Sequence, residues 1–176
     1  MRHSLRMTIA AFENRRETPL VLVIEPWGEK HEIPHLSTAG VRYALKDGAE
    51  DRSYSVVSDN QIDFWCNADS YEIEIVHPSA YDRLSWDICV NGGWCGGIVD
   101  GKPTRVDDLL PEVGTVTAEE FAKLTARADG WPESKPVDEK HLRWLEAKFV
   151  EHLGSPSVST DVLRQITARP FEGASR

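Results

Sequence analysis

Residues 54–76, YSVVSDNQIDFWCNADSYEIEIV, decide the fold class, because apolar and polar side chains alternate along them in steps of two. This period is typical of β-strands with one face in a core and the other in solvent. Alternation continues over much of the chain from about Leu5 to Val99, and helical spacing replaces it near residue 102. The sequence therefore predicts an α+β fold. An antiparallel β-sandwich or open barrel of about seven or eight strands precedes about three C-terminal helices that pack on it.

The change of period also predicts two domains. Residues 1–102 are expected to form the β-domain and residues 103–176 the helical region, with a frayed tail at 171–176. A chain of 176 residues can bury an ordinary hydrophobic core, so its stability requires neither a disulfide nor a structural metal.

Capping signals place the helices. Thr117 and Glu120 have the spacing of a capping box and predict a helix start. A second helix is expected to begin near Asp138 and to stop at Gly154, since glycine readily adopts the left-handed conformation that ends helices. A third, short helix is expected to contain Val162, Leu163 and Ile166.

Strand register follows from the requirement that apolar cross-strand partners share one face. Residues 54–66 then form a hairpin with a three-residue loop, 58–60, in which Val56 faces Ile62. Residues 20–24 are apolar at every position, which is typical of a central strand that is covered on both faces.

The next predicted hairpin carries an acidic and aromatic patch on its outer face, with Asp63 opposite Glu74 and Trp65 opposite Glu72. A tryptophan among carboxylates suits contact with a basic partner protein. The alternative is that the C-terminal helices fold back over this face. Trp27, in a Pro-Trp-Gly turn, is a further candidate for partner binding.

A third predicted hairpin spans residues 85–99, with 91–93 as its loop. Cys89 then faces Cys95, and this geometry allows the two residues to form a thiol pair that bridges on oxidation. In a reducing cytoplasm two small free thiols are the commoner outcome. Cys66 falls on the inner face and is expected to lie in the core.

Histidines offer the alternative chemistry, a small cupin-like metalloenzyme that uses His31, His35 and His77. The spacing argues against it. On a strand, His31 and His35 share a face but lie about 13 Å apart at the usual rise of about 3.3 Å per residue, which is too far for one ion. The sequence accordingly predicts no metal and no other cofactor.

Charge and motifs limit the remaining functions. The net charge is −9, and the chain contains no clustered basic patch that could neutralise phosphates, so nucleic acid is not an expected partner. No signal peptide and no apolar run of about 20 residues are present, which predicts a soluble cytoplasmic protein without a membrane partner. Catalytic signatures of hydrolases are also absent from the sequence.

The prediction that best suits these features is a non-catalytic binding protein that recognises another protein through acidic and aromatic surface. An immunity-type inhibitor of a basic toxin is one example, because such binding needs complementary charge and buried aromatic rings rather than reactive groups. The sequence leaves the oligomeric state open.

Overall fold

The computed structural model describes residues 6–45, 49–93, 95–131 and 137–164 and shows an α+β protein. Its contacts divide the chain into two compact units, the first up to Pro78 and the second from Ser79. The change of hydrophobic period predicts a later domain boundary, near residue 102. None of the helices in the described ranges combines the length and the hydropathy needed to cross a bilayer.

The first unit consists of strands in its described residues. They are β1 (Arg6–Glu13), β2 (Leu20–Glu25), β3 (Glu29–Ile33), β4 (Thr38–Leu45), β5 (Tyr54–Ser58), β6 (Gln61–Trp65) and β7 (Tyr71–Val76). Two sheets result, with the orders β1-β4-β7 and β3-β2-β6-β5. Both sheets are open as far as the described strands show, so no closed barrel forms.

One hydrophobic cluster takes side chains from both sheets. Leu22 and Ile24 of β2 contribute to it together with Val41 of β4, and all three are fully buried. Phe64 of β6 joins the cluster and lies 5.7 Å from Tyr43, measured between ring centroids. The prediction that residues 20–24 form a central strand is confirmed, since β2 lies between β3 and β6.

The register predicted for the first hairpin is wrong by one residue. The turn contains only Asp59 and Asn60, and Val56 pairs with Asp63 while Val57 pairs with Ile62. Every residue of β5 is exposed, so burial of one face does not constrain the register of this strand.

The predicted hairpin between β6 and β7 is also wrong, as is an entirely antiparallel arrangement. β6 pairs with β2 in parallel, with Phe64 beside Ile24, and β7 pairs with β4 in the other sheet, with Ile73 beside Val41. An alternating strand buries the same face whichever alternating strand lies beside it. The hydrophobic pattern of β6 and β7 therefore did not indicate their neighbours.

The second unit mixes helices with short strands. Its elements are α1 (Ala80–Val90), β8 (Gly96–Val99), β9 (Lys102–Arg105), α2 (Val106–Leu109), β10 (Thr115–Thr117), α3 (Ala118–Ala128), α4 (Glu139–Leu153), β11 (Ser157–Ser159) and α5 (Thr160–Leu163). β8 pairs with β9, and β10 pairs with β11.

Helix α1 replaces most of the hairpin predicted over residues 85–99. Ser79 Oγ accepts a hydrogen bond from the Asp82 N–H, and Asp82 Oδ2 accepts one from the Ser79 N–H. A complete capping box is therefore present. Tyr81, Leu84 and Ile88 are buried at helical spacing. The alternating apolar residues of this stretch were compatible with both periods. Ser79 and Asp82 have the spacing of a capping box, which is the signal that could have identified the helix.

Helix α3 begins at its predicted capping residue, and α4 begins and ends at its predicted capping residues. Thr117 and Glu120 form the expected capping box, Asp138 caps α4, and Gly154 ends it with a φ of 70°. Phe121 and Phe149 from these helices lie at the centre of the second core. Helix α5 contains Val162 and Leu163. Ile166 and the predicted tail lie outside the described residues, and the packing of the helical region on the β-domain stays a prediction.

Candidate functional site

The turn between β2 and β3 presents an aromatic side chain beside a strand end. Gly28 has a φ of 69° and donates from its N–H to Ile24 O at 2.9 Å, which closes the turn. Glycine adopts this left-handed conformation at little cost. Trp27 is consequently held at the turn with 37% of its surface exposed, and its ring lies 5.0 Å from that of Tyr71.

Two polar side chains from β3 meet Tyr71 at the start of β7. Glu29 and His31 are two residues apart and so project from the same face of β3. The Tyr71 hydroxyl donates to Glu29 Oε2, and His31 Nε2 lies 3.3 Å from the same hydroxyl oxygen. Because that hydroxyl has one proton and gives it to Glu29, a hydrogen bond with His31 requires His31 Nε2 to be the donor.

This cluster keeps Tyr71 protonated. Burial raises the pKa of Tyr71 well above its ordinary value, and the hydrogen bond to Glu29 and the negative charge of Glu29 raise it further. A tyrosine in this state is a hydrogen-bond donor and a poor base. Its hydroxyl therefore orients the Glu29 carboxylate, which remains mostly exposed.

A cleft of about 310 Å³ opens beside these residues. Its lining contains two carboxylates and two aromatic rings, and none of the lining side chains is basic. The lining residues are Trp27, Glu29, Asp69, Ser70, Tyr71 and Ile73. The cleft therefore combines negative charge with exposed aromatic surface. It contains Trp27, which was a predicted binding residue, but none of Asp63, Trp65, Glu72 and Glu74.

The predicted patch of Asp63, Trp65, Glu72 and Glu74 does not form as one hairpin face. Asp63 and Trp65 lie on β6, whereas Glu72 and Glu74 lie on β7 in the other sheet, opposite Arg42 and Gly40 of β4. Asp63 instead accepts a hydrogen bond from Gln61, and Trp65 stacks on Tyr54 with 5.9 Å between ring centroids. The predicted cross-strand pairs, Asp63 with Glu74 and Trp65 with Glu72, are therefore wrong.

The histidines of the metalloenzyme alternative are not brought together. His31 contacts Tyr71, His35 Nδ1 lies 2.7 Å from Arg16 O, and His77 Nδ1 lies 3.3 Å from Ser37 Oγ. In the described ranges, one group of three or more His, Cys, Asp or Glu side chains has ligand atoms close enough for one ion, and it contains none of these three histidines. Among the described residues, His31, His35 and His77 therefore share no group of ligand atoms close enough for one ion.

That one group lies in the second unit and is already occupied by a lysine. It consists of Asp87, Glu151 and His152. Lys148 Nζ lies 2.9 Å from Asp87 Oδ2 and 3.0 Å from Glu151 Oε2, and His152 Nε2 lies 2.7 Å from Asp87 Oδ2. The ammonium group supplies the cation between these carboxylates, so the group joins α1 to α4 as an ion-pair network.

Asp87 is the centre of this network. Burial raises the pKa of Asp87, but hydrogen bonds from His152, Lys148 and Asn91 outweigh burial and hold the pKa below its ordinary value. We expect Asp87→Asn to lower the free energy of unfolding near pH 7 by about 1–3 kcal/mol, the usual cost of breaking hydrogen bonds to a partly buried charged group.

The stabilisation that Asp87 provides should depend on pH in a defined direction. A carboxylate with a lowered pKa stabilises the folded state above its unfolded pKa, and this stabilisation disappears as the pH falls through the folded pKa, below about 4. Urea unfolding of both proteins should thus show a difference at pH 7 that shrinks below pH 4. The exposed Glu139→Gln, which breaks a surface pair with Arg143, should change stability by less than about 0.5 kcal/mol. A constant difference across this range would refute the assignment.

Cys89 and Cys95 are close together, although the hairpin predicted to pair them is absent. Cys89 lies in the last turn of α1, and Cys95 precedes β8. Cys95 Sγ donates to Ser85 O at 3.6 Å. Burial raises the pKa of the Cys95 thiol, and the neighbouring Cys89 raises it further. Both thiols are free, so the disulfide stays a prediction.

Cys66 is buried, as predicted, and burial raises its pKa to about 11.

A second cleft, of about 360 Å³, lies in the second unit and is lined mainly by apolar side chains. Its charged residues, Glu120 and Lys123, have structural partners. Glu120 accepts the capping bond from Thr117, and Lys123 pairs with Glu119. Both charged side chains of this cleft are therefore already paired within the second unit, and the rest of its lining is mostly apolar.

No family model matches this chain, and comparison with curated proteins and with solved structures finds no significant match.

Proposed function

We propose that this chain is a non-catalytic, cytoplasmic binding protein that recognises a basic partner protein. The observation that carries the proposal is the cleft beside the Trp27 turn, hereafter the Trp27 cleft. There, carboxylates and aromatic rings line one space of about 310 Å³ without a basic side chain. A lysine or arginine side chain of the partner is the group that this cleft suits.

Two physical effects favour a cation at this place. An ammonium or guanidinium group within about 6 Å of a Trp or Tyr ring is attracted by the negative face of the ring, and tryptophan is the strongest such partner. The Glu29 carboxylate adds direct charge pairing. Because Tyr71 already orients Glu29, less conformational entropy is lost when a cation binds than with a freely rotating carboxylate.

The chemistry of the cluster supports binding rather than catalysis. Tyr71 keeps its proton, and its hydroxyl is committed to Glu29. His31 Nε2 donates to the oxygen of the same hydroxyl. An inhibitor of a basic toxin would use such a cleft as one anchor within a larger interface, together with other acidic surface of this chain, whose net charge is −9.

As part of the same proposal, the two sheets that share the first core form a β-sandwich.

The test uses short peptides and the intact protein. A peptide with one central lysine, a matching arginine peptide and a matching Nε-acetyl-lysine peptide are titrated while the backbone amides of Gly28 and Ser70 are followed by NMR. The lysine and arginine peptides should shift both amides. The acetylated peptide has nearly the same shape but no charge, and it should not shift them.

Variants identify the groups responsible. Trp27→Ala and Glu29→Gln should each weaken binding of the lysine peptide by roughly 2- to 30-fold, which corresponds to about 0.5–2 kcal/mol for one cation contact. Trp65→Ala removes an exposed tryptophan elsewhere in the unit and should leave this binding unchanged. Equal shifts with the lysine and acetyl-lysine peptides, or unchanged binding in Glu29→Gln, would show that the cleft does not recognise cations.

A further inference from the structure

Strand β5 is an unprotected sheet edge. It pairs with β6 on one side, has no strand on the other side in the described sheet, and is exposed at all five positions. The side chains of Val57 and Tyr54 are 73% and 54% exposed. The sequence of the strand, YSVVS, contains no charge and no proline. Natural edge strands usually carry such residues to prevent pairing with another chain.

The other edge strands of the first unit show this protection. β3 contains Glu29, Lys30 and Glu32, β7 contains Glu72 and Glu74, and β1 contains Glu13. Among the described edges of the two sheets, β5 is therefore the one without a charged residue. We propose that this edge is where two copies of the chain pair, through antiparallel contact of β5 with β5.

Hairpin geometry fixes the register of this contact. The residues that flank a two-residue turn, here Ser58 and Gln61, form a hydrogen-bonded pair, and such pairs alternate along the hairpin. Val56 and Tyr54 are thus bonded to β6, while the backbone N–H and C=O groups of Ser55 and Val57 point to the open side. Pairing Ser55 with Val57 of the second copy, and the reverse, makes four hydrogen bonds around a two-fold axis at Val56.

Side chains and charges are compatible with this register. The two copies of Val56 face each other as a non-hydrogen-bonded pair, in which side chains approach closely. The nearest carboxylate on the same face, Asp63, lies one strand away, so the two copies of Asp63 are three strand spacings apart, about 14 Å. This exceeds the Debye length of about 8 Å at physiological salt, and the acidic chains can consequently meet here without strong repulsion.

The expected dimer is weak and depends on concentration, because one strand pair buries less than the roughly 1,200 Å² of a small stable interface. Sedimentation velocity from about 10 µM to 1 mM should show the full chain shifting from monomer to dimer. Hydrogen exchange gives a residue-specific readout. The amides of Ser55 and Val57 should gain protection as the concentration rises, whereas those of Val56 and Ser58 should not change.

Two variants and one control complete the test. Val56→Lys places two cations opposite each other and should weaken dimerisation at least tenfold, although it lowers the net negative charge. Ser55→Pro removes an outward N–H without removing a bond to β6 and should also weaken it. Val113→Lys makes the same charge change at a valine that is 83% exposed in the second unit and should leave dimerisation intact. A monomer at 1 mM, or a dimer that persists in both β5 variants, would overturn the proposal.

Discussion

Replacing Phe149 with Ala is expected to lower the free energy of unfolding of the second unit by about 3–5 kcal/mol. Phe149 is fully buried, and its ring lies 5.1 Å from that of Phe121 at the centre of the second core. Truncation removes apolar contact and leaves a cavity that the two helices fill only in part. A loss of this size is a large fraction of the stability of an ordinary domain.

Denaturant unfolding, followed by hydrogen exchange of the amides of α3 and α4, measures this effect. Val150→Ala is the matched control, because Val150 is the next residue of the same helix and is 40% exposed. It should cost less than about 1 kcal/mol. A similar cost for both variants would contradict the assignment of Phe149 to the core.

A double-mutant cycle extends this prediction. Phe121 is also fully buried, and its ring is tilted by 43° relative to that of Phe149. Tilted aromatic pairs add about 0.5–1.5 kcal/mol beyond the burial of their area. The double variant Phe121→Ala with Phe149→Ala should thus cost less than the sum of the two single variants by about this amount.

The second large effect is expected in the first unit, where Leu22→Ala should lower the free energy of unfolding by about 2–5 kcal/mol. Leu22 is fully buried in β2, between His31 of β3 and Ile62 of β6. A central strand contributes side chains to the core along its length, and these side chains cannot rotate into solvent. Loss of one buried leucine should therefore affect both strand pairs.

Amide exchange in β2, β3 and β6 reports this loss. Met7→Ala, at a position of β1 that is 48% exposed, is the control and should cost less than about 1 kcal/mol. If Leu22→Ala destabilised the unit no more than Met7→Ala, β2 would not be the central strand of this core.

Local patterns determined several elements of this protein. Residues 20–24 are apolar at every position, and the structure places them in the centre of a sheet. The ends of α3 and α4 are set by hydrogen bonds between residues close in sequence. Thr117 bonds with Glu120 at the start of α3, Asp138 caps the start of α4, and Gly154 ends α4. Signals of this kind are sufficient because the groups that satisfy them lie within one or two helical turns.

Local patterns did not determine the structure where a two-residue period and a helical period overlapped. Residues 85–90 satisfied a two-residue period, and this period favoured a hairpin. The buried spacing of Leu84 and Ile88, together with the capping box at Ser79, instead produces a helix. Over so short a stretch both periods fit. The cap favours the helix because it supplies hydrogen bonds to backbone N–H groups at the helix start, whereas in a hairpin the backbone groups would need a partner strand.

Only the tertiary structure decided the partners of β6 and the location of the Trp27 cleft. Period two specifies which face of a strand is buried, but it does not specify which strand lies beside it, so parallel pairing with β2 was invisible in the sequence. Glu29 and Tyr71 are 42 residues apart and lie on strands of different sheets. The sequence by itself determined that β2 is central and where α3 and α4 are capped, whereas the carboxylate and the aromatic ring meet only because both sheets fold around one core.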